Sequence, residues 1–150
     1  MLLSKAEIAR LIPHGGPMCL LDGVVRWDAS RICCSSRSHR DPGNPMLAGG
    51  QLPAVCGIEY AAQAMAVHGS LAGNIGAKPR SGYLASVRDL TIGKNRLDEL
   101  QGELIVDAEQ VMGDESRVIY QFAVRVGDLE VLSGRATVVL DAGNPKDRAA

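Results

Sequence analysis

The apolar positions of the chain are most densely concentrated in residues 52–69, which read LPAVCGIEYAAQAMAVHG. Pro53 suits the first turn of a helix, where its missing N–H is no loss. We therefore predict one long helix from about Pro53 to about His68. A helix that is apolar nearly all round has to be buried on most of its sides.

Apolar and polar residues alternate, fully or in part, on both sides of this helix, which is the pattern of half-buried strands. Two candidate strands precede the helix and four follow it, at residues 18–27, 31–39, 83–92, 103–112, 116–127 and 130–140. Near the start, Ser4 and Glu7 form a capping box, which predicts a short amphipathic helix that ends before Pro13. Because strands dominate around one buried helix, we expect an α+β fold in which an antiparallel sheet curls around the helix.

The length of 150 residues suits a single domain that spans residues 1–150. The formal net charge of −1 and the aromatic content of 3% argue against a nucleic acid or an anionic membrane as the main partner. No apolar run reaches the roughly 20 residues that a membrane span needs, and the first residues lack the order of a signal peptide. We expect a cytoplasmic protein.

The chain has four cysteines, and none of them belongs to a C-x-x-C pair: Cys19, Cys33, Cys34 and Cys56. A metal site usually combines such paired spacing with nearby histidines. We therefore expect small reduced cysteines in the core, no metal site and no cofactor.

One carboxylate, Glu59, lies in the middle of the predicted apolar helix. Gln63 follows four residues later and shares its face of the helix. Glu59 is either a structural residue, bonded to Gln63 or to a turn or reaching solvent, or a general acid or base in a buried position. We favour the acid–base role.

Several motifs of the chain resemble those of a known family. Residues 12–25, IPHGGPMCLLDGVV, resemble the L-P-H-R-x-P-F-L-L-V-D-R-V opening of the 3-hydroxyacyl-(acyl-carrier-protein) dehydratases. Residues 52–66, LPAVCGIEYAAQAMA, resemble their central-helix pattern M-P-G-V-L-x-x-E-x-x-A-Q, and residues 88–109 are similar to the strand, loop and strand that follow. The chain is more similar still to a small dehydratase-like subgroup of bacterial aryl-polyene, polyketide and fatty-acid gene sets, which shares G-I-E-Y-x-A-Q-A.

The resemblance implies the hotdog fold, in which an antiparallel sheet wraps around one long helix and usually continues across a dimer. It implies that Glu59 is the catalytic carboxylate and that Gln63 is its neighbour at the substrate. It also implies that backbone N–H groups at the helix start, near Ala54 and Val55, bind the thioester carbonyl and stabilise an enolate. Ala54 stands where the family has glycine.

The family's catalytic histidine, in G-H-F-P, has no counterpart, because the corresponding region here reads LAGGQLP. His14 and His39 are the candidates to replace it. The alternative for His14 is a turn-stabilising role, and the alternative for His39 is an exposed position at the edge of a loop. His68 lies about 180° around the helix from Glu59 and ~13 Å along it, so these two residues cannot meet within one chain.

We expect a dehydratase-like enzyme that acts on 3-hydroxyacyl thioesters carried on the phosphopantetheine arm of an acyl carrier protein. Two alternatives remain open. One is a hotdog acyl thioesterase, in which a single carboxylate orients water. The other is a catalytically incomplete subunit that pairs with a complete dehydratase. The missing histidine favours these two alternatives.

Acyl carrier proteins are acidic, so a local basic patch should bind the carrier. The cations available for it are Arg88, Lys94 and Arg96, together with Lys78 and Arg80. We also expect a homodimer or higher oligomer, or a heterodimer with a dehydratase paralogue. The reason is that the long strands at 103–112 and 116–126 would leave an exposed sheet edge in a monomer.

Overall fold

The computed structural model of the chain describes residues 2–12, 18–73 and 82–140. Within this part there are two α-helices, α1 at Lys5–Leu11 and α2 at Gly57–Ala72. The strands are β1 (Leu3–Ser4), β2 (Gly23–Trp27), β3 (Arg31–Ser36), β4 (Gly82–Ile92), β5 (Leu104–Gly113), β6 (Arg117–Val126) and β7 (Leu129–Leu140). The predicted capping box is present at the start of α1, because the Ser4 hydroxyl accepts from the Glu7 N–H and the Glu7 carboxylate accepts from the Ser4 N–H.

The strands form one seven-stranded sheet with the order β1-β2-β3-β5-β6-β7-β4, and all neighbours are antiparallel. The long helix α2 packs against β3, β5 and β6 in the middle of this sheet. The predicted α+β arrangement, one apolar helix against an antiparallel sheet, is confirmed.

The sheet face toward α2 is built from every second residue of the central strands. The buried residues of β5 and β6 that follow this alternation are Leu104, Val106, Ala108, Tyr120, Phe122 and Val124. The helix also approaches β7 closely, since a Cβ on Gly57 would lie 2.7 Å from Cδ2 of Leu132. Because glycine has no side chain, the first turn of α2 can lie this close to the sheet.

The α-helix begins later than the sequence predicted. Pro53 is extended, a 3-10 turn covers Ala54–Cys56, and the α-helix follows from Gly57 and ends at Ala72. The delay has a tertiary cause, because the Ala54 N–H donates to the carbonyl of the distant Asn95 at 2.8 Å. The residues before the helix are thus bonded to the loop after β4.

Two strand ends also differ from the predicted ones. β2 begins later, at Gly23, and β3 ends at Ser36, so that His39 lies in a 3-10 turn at Ser38–Arg40. The hydroxyls of Ser36 and Ser38 both lie within donating distance of the Leu20 carbonyl, at 2.6 and 2.8 Å. Side chains of this kind compete with the hydrogen-bond ladder of a sheet, which explains why regular pairing stops here.

The long free edge of the sheet is not where the sequence suggested. β5 and β6 are paired on both sides, so the expectation of an exposed edge at 103–112 and 116–126 is wrong. The reason is that β4 pairs with the last strand, β7, and not with its neighbour in the chain. β4 therefore forms an edge of 11 residues. It carries four exposed apolar side chains, Tyr83, Leu84, Leu90 and Ile92.

The C-terminal half of α2 is attached to the sheet through His68, which is fully buried. Its Nε2 lies 2.9 Å from the carbonyl oxygen of Asp28, which only accepts, so Nε2 carries the proton. Its Nδ1 then accepts from the Tyr120 hydroxyl at 2.6 Å. Burial lowers the pKa of His68 below its ordinary value of 6.5.

We expect the free energy of unfolding to decrease as the pH falls through 6.5, because the unfolded chain then binds a proton that the folded His68 does not. Thermal unfolding from about pH 7.5 down to about pH 5.5 measures this slope. The variant His68→Gln should show a shallower slope than the wild type. Burial also lowers the pKa of His39, so part of the slope should remain in the variant. Equal slopes in the two proteins would contradict this account.

Candidate active site

Glu59 lies in the first turn of α2 and is partly buried. Its Oε1 accepts a hydrogen bond from Nε2 of Gln63, one turn further along the helix, at 3.3 Å. Among the residues that the structure describes, only Gln63 makes a hydrogen bond to this carboxylate. The second oxygen, Oε2, has no hydrogen-bond partner among the described residues.

The side-chain amide of Gln63 is fixed by the backbone of the segment that precedes β2. Its Oε1 accepts from the Leu20 N–H at 2.9 Å, and its Nε2 donates to the Met18 carbonyl at 2.7 Å. These two contacts determine which end of the amide is nitrogen, and Gln63 itself is 2% exposed. Gln63 therefore presents an N–H to Glu59 from the helix face that the two residues share, and this is the hydrogen bond named in the structural alternative for Glu59.

The donors at the start of the helix differ from the expected set. The Ala54 N–H is already bonded to the Asn95 carbonyl, so it is not the free donor that the resemblance implied. Val55 follows in the 3-10 turn, and no described residue accepts a hydrogen bond from its N–H. The side chain of Val55 is 50% exposed. Val55 is therefore the open backbone position at this end of α2.

The two candidate histidines have different outcomes. His39 is 1% exposed, so it is not an exposed residue at a loop edge. Its Nε2 donates to the Leu100 carbonyl at 3.1 Å, and its Nδ1 has no hydrogen-bond partner among the described residues. Burial lowers the pKa of His39, and neither ring nitrogen is bonded to Glu59. His14 lies outside the described residues.

A tight turn occupies the region where the family pattern has its histidine. Gly49 and Gly50 both have positive φ, 59° and 76°, and the Ala48 N–H donates to the Gln51 carbonyl at 2.9 Å. This is the geometry of a two-residue hairpin loop, which favours glycine at both central positions. The turn places no titratable side chain before the helix.

Arg96, which the sequence suggested as a carrier-binding residue, is engaged within the chain. Its guanidinium forms ion pairs with Asp98 at 2.5 Å and with Glu99 at 2.8 Å. Asp98 also accepts from the Leu52 N–H at 2.8 Å, so the ion pair connects the loop after β4 to the segment before α2. The Arg96 guanidinium holds the pKa of Asp98 well below its usual range.

The other suggested cations lie apart from this ion pair. Arg88 is on the edge strand β4 and Lys94 is in the loop after it, and both are exposed. Arg88 stands opposite Arg135 of β7, a residue that the sequence reading did not single out. Directly opposed like charges repel each other, so an anionic group bound here would relieve the repulsion. Lys78 and Arg80 lie outside the described residues.

Among the described residues, no three His, Cys, Asp or Glu side chains are grouped so that they could hold a metal ion. The cysteines are free thiols, and burial raises the pKa of Cys33 to about 11 and that of Cys34 to about 12. Neither described helix is long and apolar enough to cross a membrane.

The model of the ApeP-like family, described as ApeP dehydratase, matches residues 6–147. The chain belongs to the ApeP-like dehydratase family. The matched range includes Glu59, Gln63 and the whole of α2, so the dehydratase class is supported over the segment that carries the candidate site. No curated protein matches the chain significantly.

Solved structures show the fold of this ApeP-like chain. The dehydratase heterocomplex ApeI:P from Xenorhabdus doucetiae aligns with a TM-score of 0.81 at 21% identity, over 95% of this chain and 94% of that one. A thioesterase from Haemophilus influenzae aligns with a TM-score of 0.61 at 12% identity, over 94% and 92% of the two chains. A mutant thioesterase from Pseudomonas aeruginosa aligns with a TM-score of 0.63 at 12% identity, over 93% and 95%. The predicted hotdog fold is confirmed.

Sequence reasoning missed the groups that orient the site, because most of them are backbone atoms. The partners of Gln63 are the carbonyl of Met18 and the N–H of Leu20, 45 and 43 residues away in the chain. Asn95 likewise contributes only its carbonyl at the helix start. Every residue type except proline offers the same backbone N–H and carbonyl groups, so the sequence cannot show which residues act as backbone partners.

Proposed function

We propose that this ApeP-like chain takes part in the dehydration of 3-hydroxyacyl thioesters carried on the phosphopantetheine arm of an acyl carrier protein. The observation that carries the proposal is the Glu59 carboxylate in the first turn of α2. One of its oxygens accepts a hydrogen bond from the fixed amide of Gln63. In the turn before the helix, the N–H of Val55 has no acceptor among the described residues. Membership of the dehydratase family supports the reaction class. The free cysteine thiols support the expected cytoplasmic location.

Dehydration breaks the Cα–H and Cβ–O bonds of the substrate, forms a Cα=Cβ double bond and releases water. In this proposal Oε2 of Glu59 accepts the α-proton as a general base. The Val55 N–H stabilises the negative charge that develops on the thioester oxygen. The leaving hydroxyl needs a proton as the Cβ–O bond breaks, which calls for a second acid at the site.

A partner subunit is the proposed source of this second acid. His39 and His68 are buried and bonded to backbone carbonyls, and the turn at 48–51 contains no histidine. The similar ApeI:P structure is a dehydratase heterocomplex, which supports pairing of this chain with a dehydratase paralogue. His14 is the remaining source within the chain.

Thioester hydrolysis is the second candidate function. Glu59 would then orient a water molecule, and no histidine would be required, which fits the glycine turn at 48–51. Two of the similar structures are thioesterases, but at 12% identity they support only the fold. The family match favours dehydration.

We propose that β4 pairs with a second hotdog subunit, either a copy of this chain or the paralogue. An edge strand of 11 residues presents a row of unpaired backbone groups, which is a template for another strand. Tyr83 and Ile92 on this strand are 62% and 47% exposed. Pairing would continue the sheet and cover these side chains.

Lys94 and Arg88 are the proposed contacts for the acidic carrier. Both are exposed, whereas Arg96 is neutralised by Asp98 and Glu99 and contributes less than its position suggests. Lys94 lies two residues after the end of β4 and precedes Asn95, whose carbonyl binds the Ala54 N–H in the turn before α2. A carrier bound at Lys94 would therefore be close in the chain to the loop that contacts Ala54, the residue before Val55.

The substitution Glu59→Gln should lower dehydration by roughly 10²–10⁴-fold, because it removes the proton acceptor and keeps the size of the side chain. The assay is mass spectrometry of 3-hydroxyacyl chains on a carrier protein, with and without a partner dehydratase, scored for loss of water and for release of free acid. Glu115→Gln, the same change in an exposed turn, is the matched control.

Full dehydration by Glu59→Gln would contradict the acid–base role. Release of free acid by the wild type, without loss of water, would favour the thioesterase. If His14→Ala loses as much activity as Glu59→Gln while His39→Ala does not, the second acid belongs to this chain and the partner is not needed for it.

The assembly is tested with Ile92→Lys, which places a charge on the free edge. We expect light scattering at micromolar concentration to give a dimeric mass for the wild type, alone or with the paralogue, and a monomeric mass for the variant. Met112→Lys is the control, because Met112 is 66% exposed but lies on the interior strand β5. A wild type that stays monomeric in both settings would rule out the edge as an interface.

Carrier binding is tested by the charge reversal Lys94→Glu. We expect a KM increase of about tenfold for carrier-bound substrate and no change for the same acyl group on free pantetheine, since only the carrier carries the negative surface. Arg10→Glu, an exposed reversal on α1, is the control. An unchanged KM for the carrier substrate would exclude Lys94 from docking.

A further inference from the structure

A chain of buried and partly buried hydrogen bonds runs beside the candidate active site and is not used by the chemistry described above. The Tyr60 hydroxyl lies 2.7 Å from Oγ of Ser38 and 3.1 Å from Nδ2 of Asn44. Oγ of Ser38 in turn lies 2.8 Å from the Leu20 carbonyl. Ser36 reaches the same carbonyl at 2.6 Å. The network thus connects the loop before α2, the helix itself and the segment before β2.

The direction of each hydrogen bond follows from the donors that are available. The amide nitrogen of Asn44 can only donate, so the Tyr60 oxygen accepts there. The Leu20 carbonyl can only accept, so Ser38 donates its single hydrogen to it. The Tyr60 hydroxyl must then donate to Ser38. The order is Asn44 to Tyr60 to Ser38 to the Leu20 carbonyl, and Oγ of Ser38 also lies 2.9 Å from Oγ of Ser36.

Leu20 is where this network meets Gln63. Its carbonyl accepts from Ser38 and Ser36, and its N–H donates to Oε1 of Gln63. Tyr60 and Gln63 are three residues apart on α2 and so lie on neighbouring positions of one helix face. The helix therefore holds the backbone of Leu20 from both sides, directly through Gln63 and indirectly through Tyr60.

The position of Leu20 determines the position of the Gln63 amide. The Gln63 nitrogen has two hydrogens, one for the Met18 carbonyl and one for Glu59, and its oxygen is held by Leu20. If Leu20 shifts, the amide turns with it and the N–H moves away from Oε1 of Glu59. A displacement of reacting groups by about 1 Å can cost about 100-fold in rate.

We propose that Tyr60 and Ser38 are positioning residues for Glu59, acting through the Leu20 backbone and Gln63. The inference rests on the proposed function of Glu59 and adds to it the device that fixes the carboxylate. The competing explanation is that the network only holds the fold together, in which case its loss would lower stability and leave turnover unchanged.

The test compares Tyr60→Phe with Tyr120→Phe. Both residues are buried tyrosines whose hydroxyls make hydrogen bonds, but Tyr120 bonds to His68 at the other end of the helix. We expect kcat for the carrier-bound substrate to fall by about tenfold or more in Tyr60→Phe with KM little changed, and to stay near the wild-type value in Tyr120→Phe. Ser38→Ala should reproduce the Tyr60→Phe effect, and the double variant should lose little more than either single one.

Amide hydrogen exchange supplies a readout that does not depend on activity. The Leu20 N–H should exchange about tenfold faster in Tyr60→Phe and in Ser38→Ala than in the wild type, at matched global stability, and should be unaffected in Tyr120→Phe. Equal Leu20 exchange in the two tyrosine variants, or an equal loss of kcat, would overturn the positioning role.

The two proposals fail in different ways. If Glu59→Gln is fully active, the proposed function fails, whatever the exchange data give. If Glu59→Gln is inactive and Tyr60→Phe turns over at the wild-type rate, the acid–base role of Glu59 stands and the positioning role is wrong.

Discussion

A polar atom on a helix that is buried on most sides must find its partner inside the protein, and the site of this ApeP-like chain is organised by that requirement. Gln63 satisfies this requirement by hydrogen bonds to the backbone of Met18 and Leu20. His68 meets it with the Asp28 carbonyl and the Tyr120 hydroxyl. These contacts attach α2 to the segment before β2, to Asp28 after β2 and to the strand β6. The helix is therefore positioned by its few polar groups as well as by its apolar surface.

The local pattern of the sequence was sufficient for the elements and the fold class, but not for the order of the strands in the sheet. The capping box at Ser4, the apolar helix and the alternating strands depend on neighbours within a few residues, and they were predicted. The order of strands depends on pairing between distant segments, so the free edge was assigned to β5 and β6 although β4 occupies it. The start of α2 moved for the same reason, because the carbonyl that binds Ala54 comes from Asn95.

The candidate site shows the same division. Glu59 and Gln63 could be paired from their spacing alone, since residues four apart share a helix face. The burial of His39 could not be foreseen, because it depends on the distant loop after β4, whose Leu100 carbonyl binds the His39 ring. The ion pairs of Arg96 are local, since Asp98 and Glu99 follow it by two and three residues, and the sequence analysis overlooked them. Residue type identifies a chemical group, but its availability is decided by tertiary contacts. His39 illustrates this, as its buried ring is bonded to the distant Leu100 carbonyl.

The glycine turn at 48–51 limits how this chain could change in evolution. A side chain at Gly49 or Gly50 would meet no atom within 4 Å, so space is not the obstacle. The obstacle is the backbone, because the φ values of 59° and 76° cost a residue with a Cβ about 1–2 kcal/mol. A histidine gained there by single substitution would weaken the turn that presents it. If the site takes its second acid–base group from a partner subunit, as proposed above, a substitution in this turn would be the more costly way to acquire one within the chain.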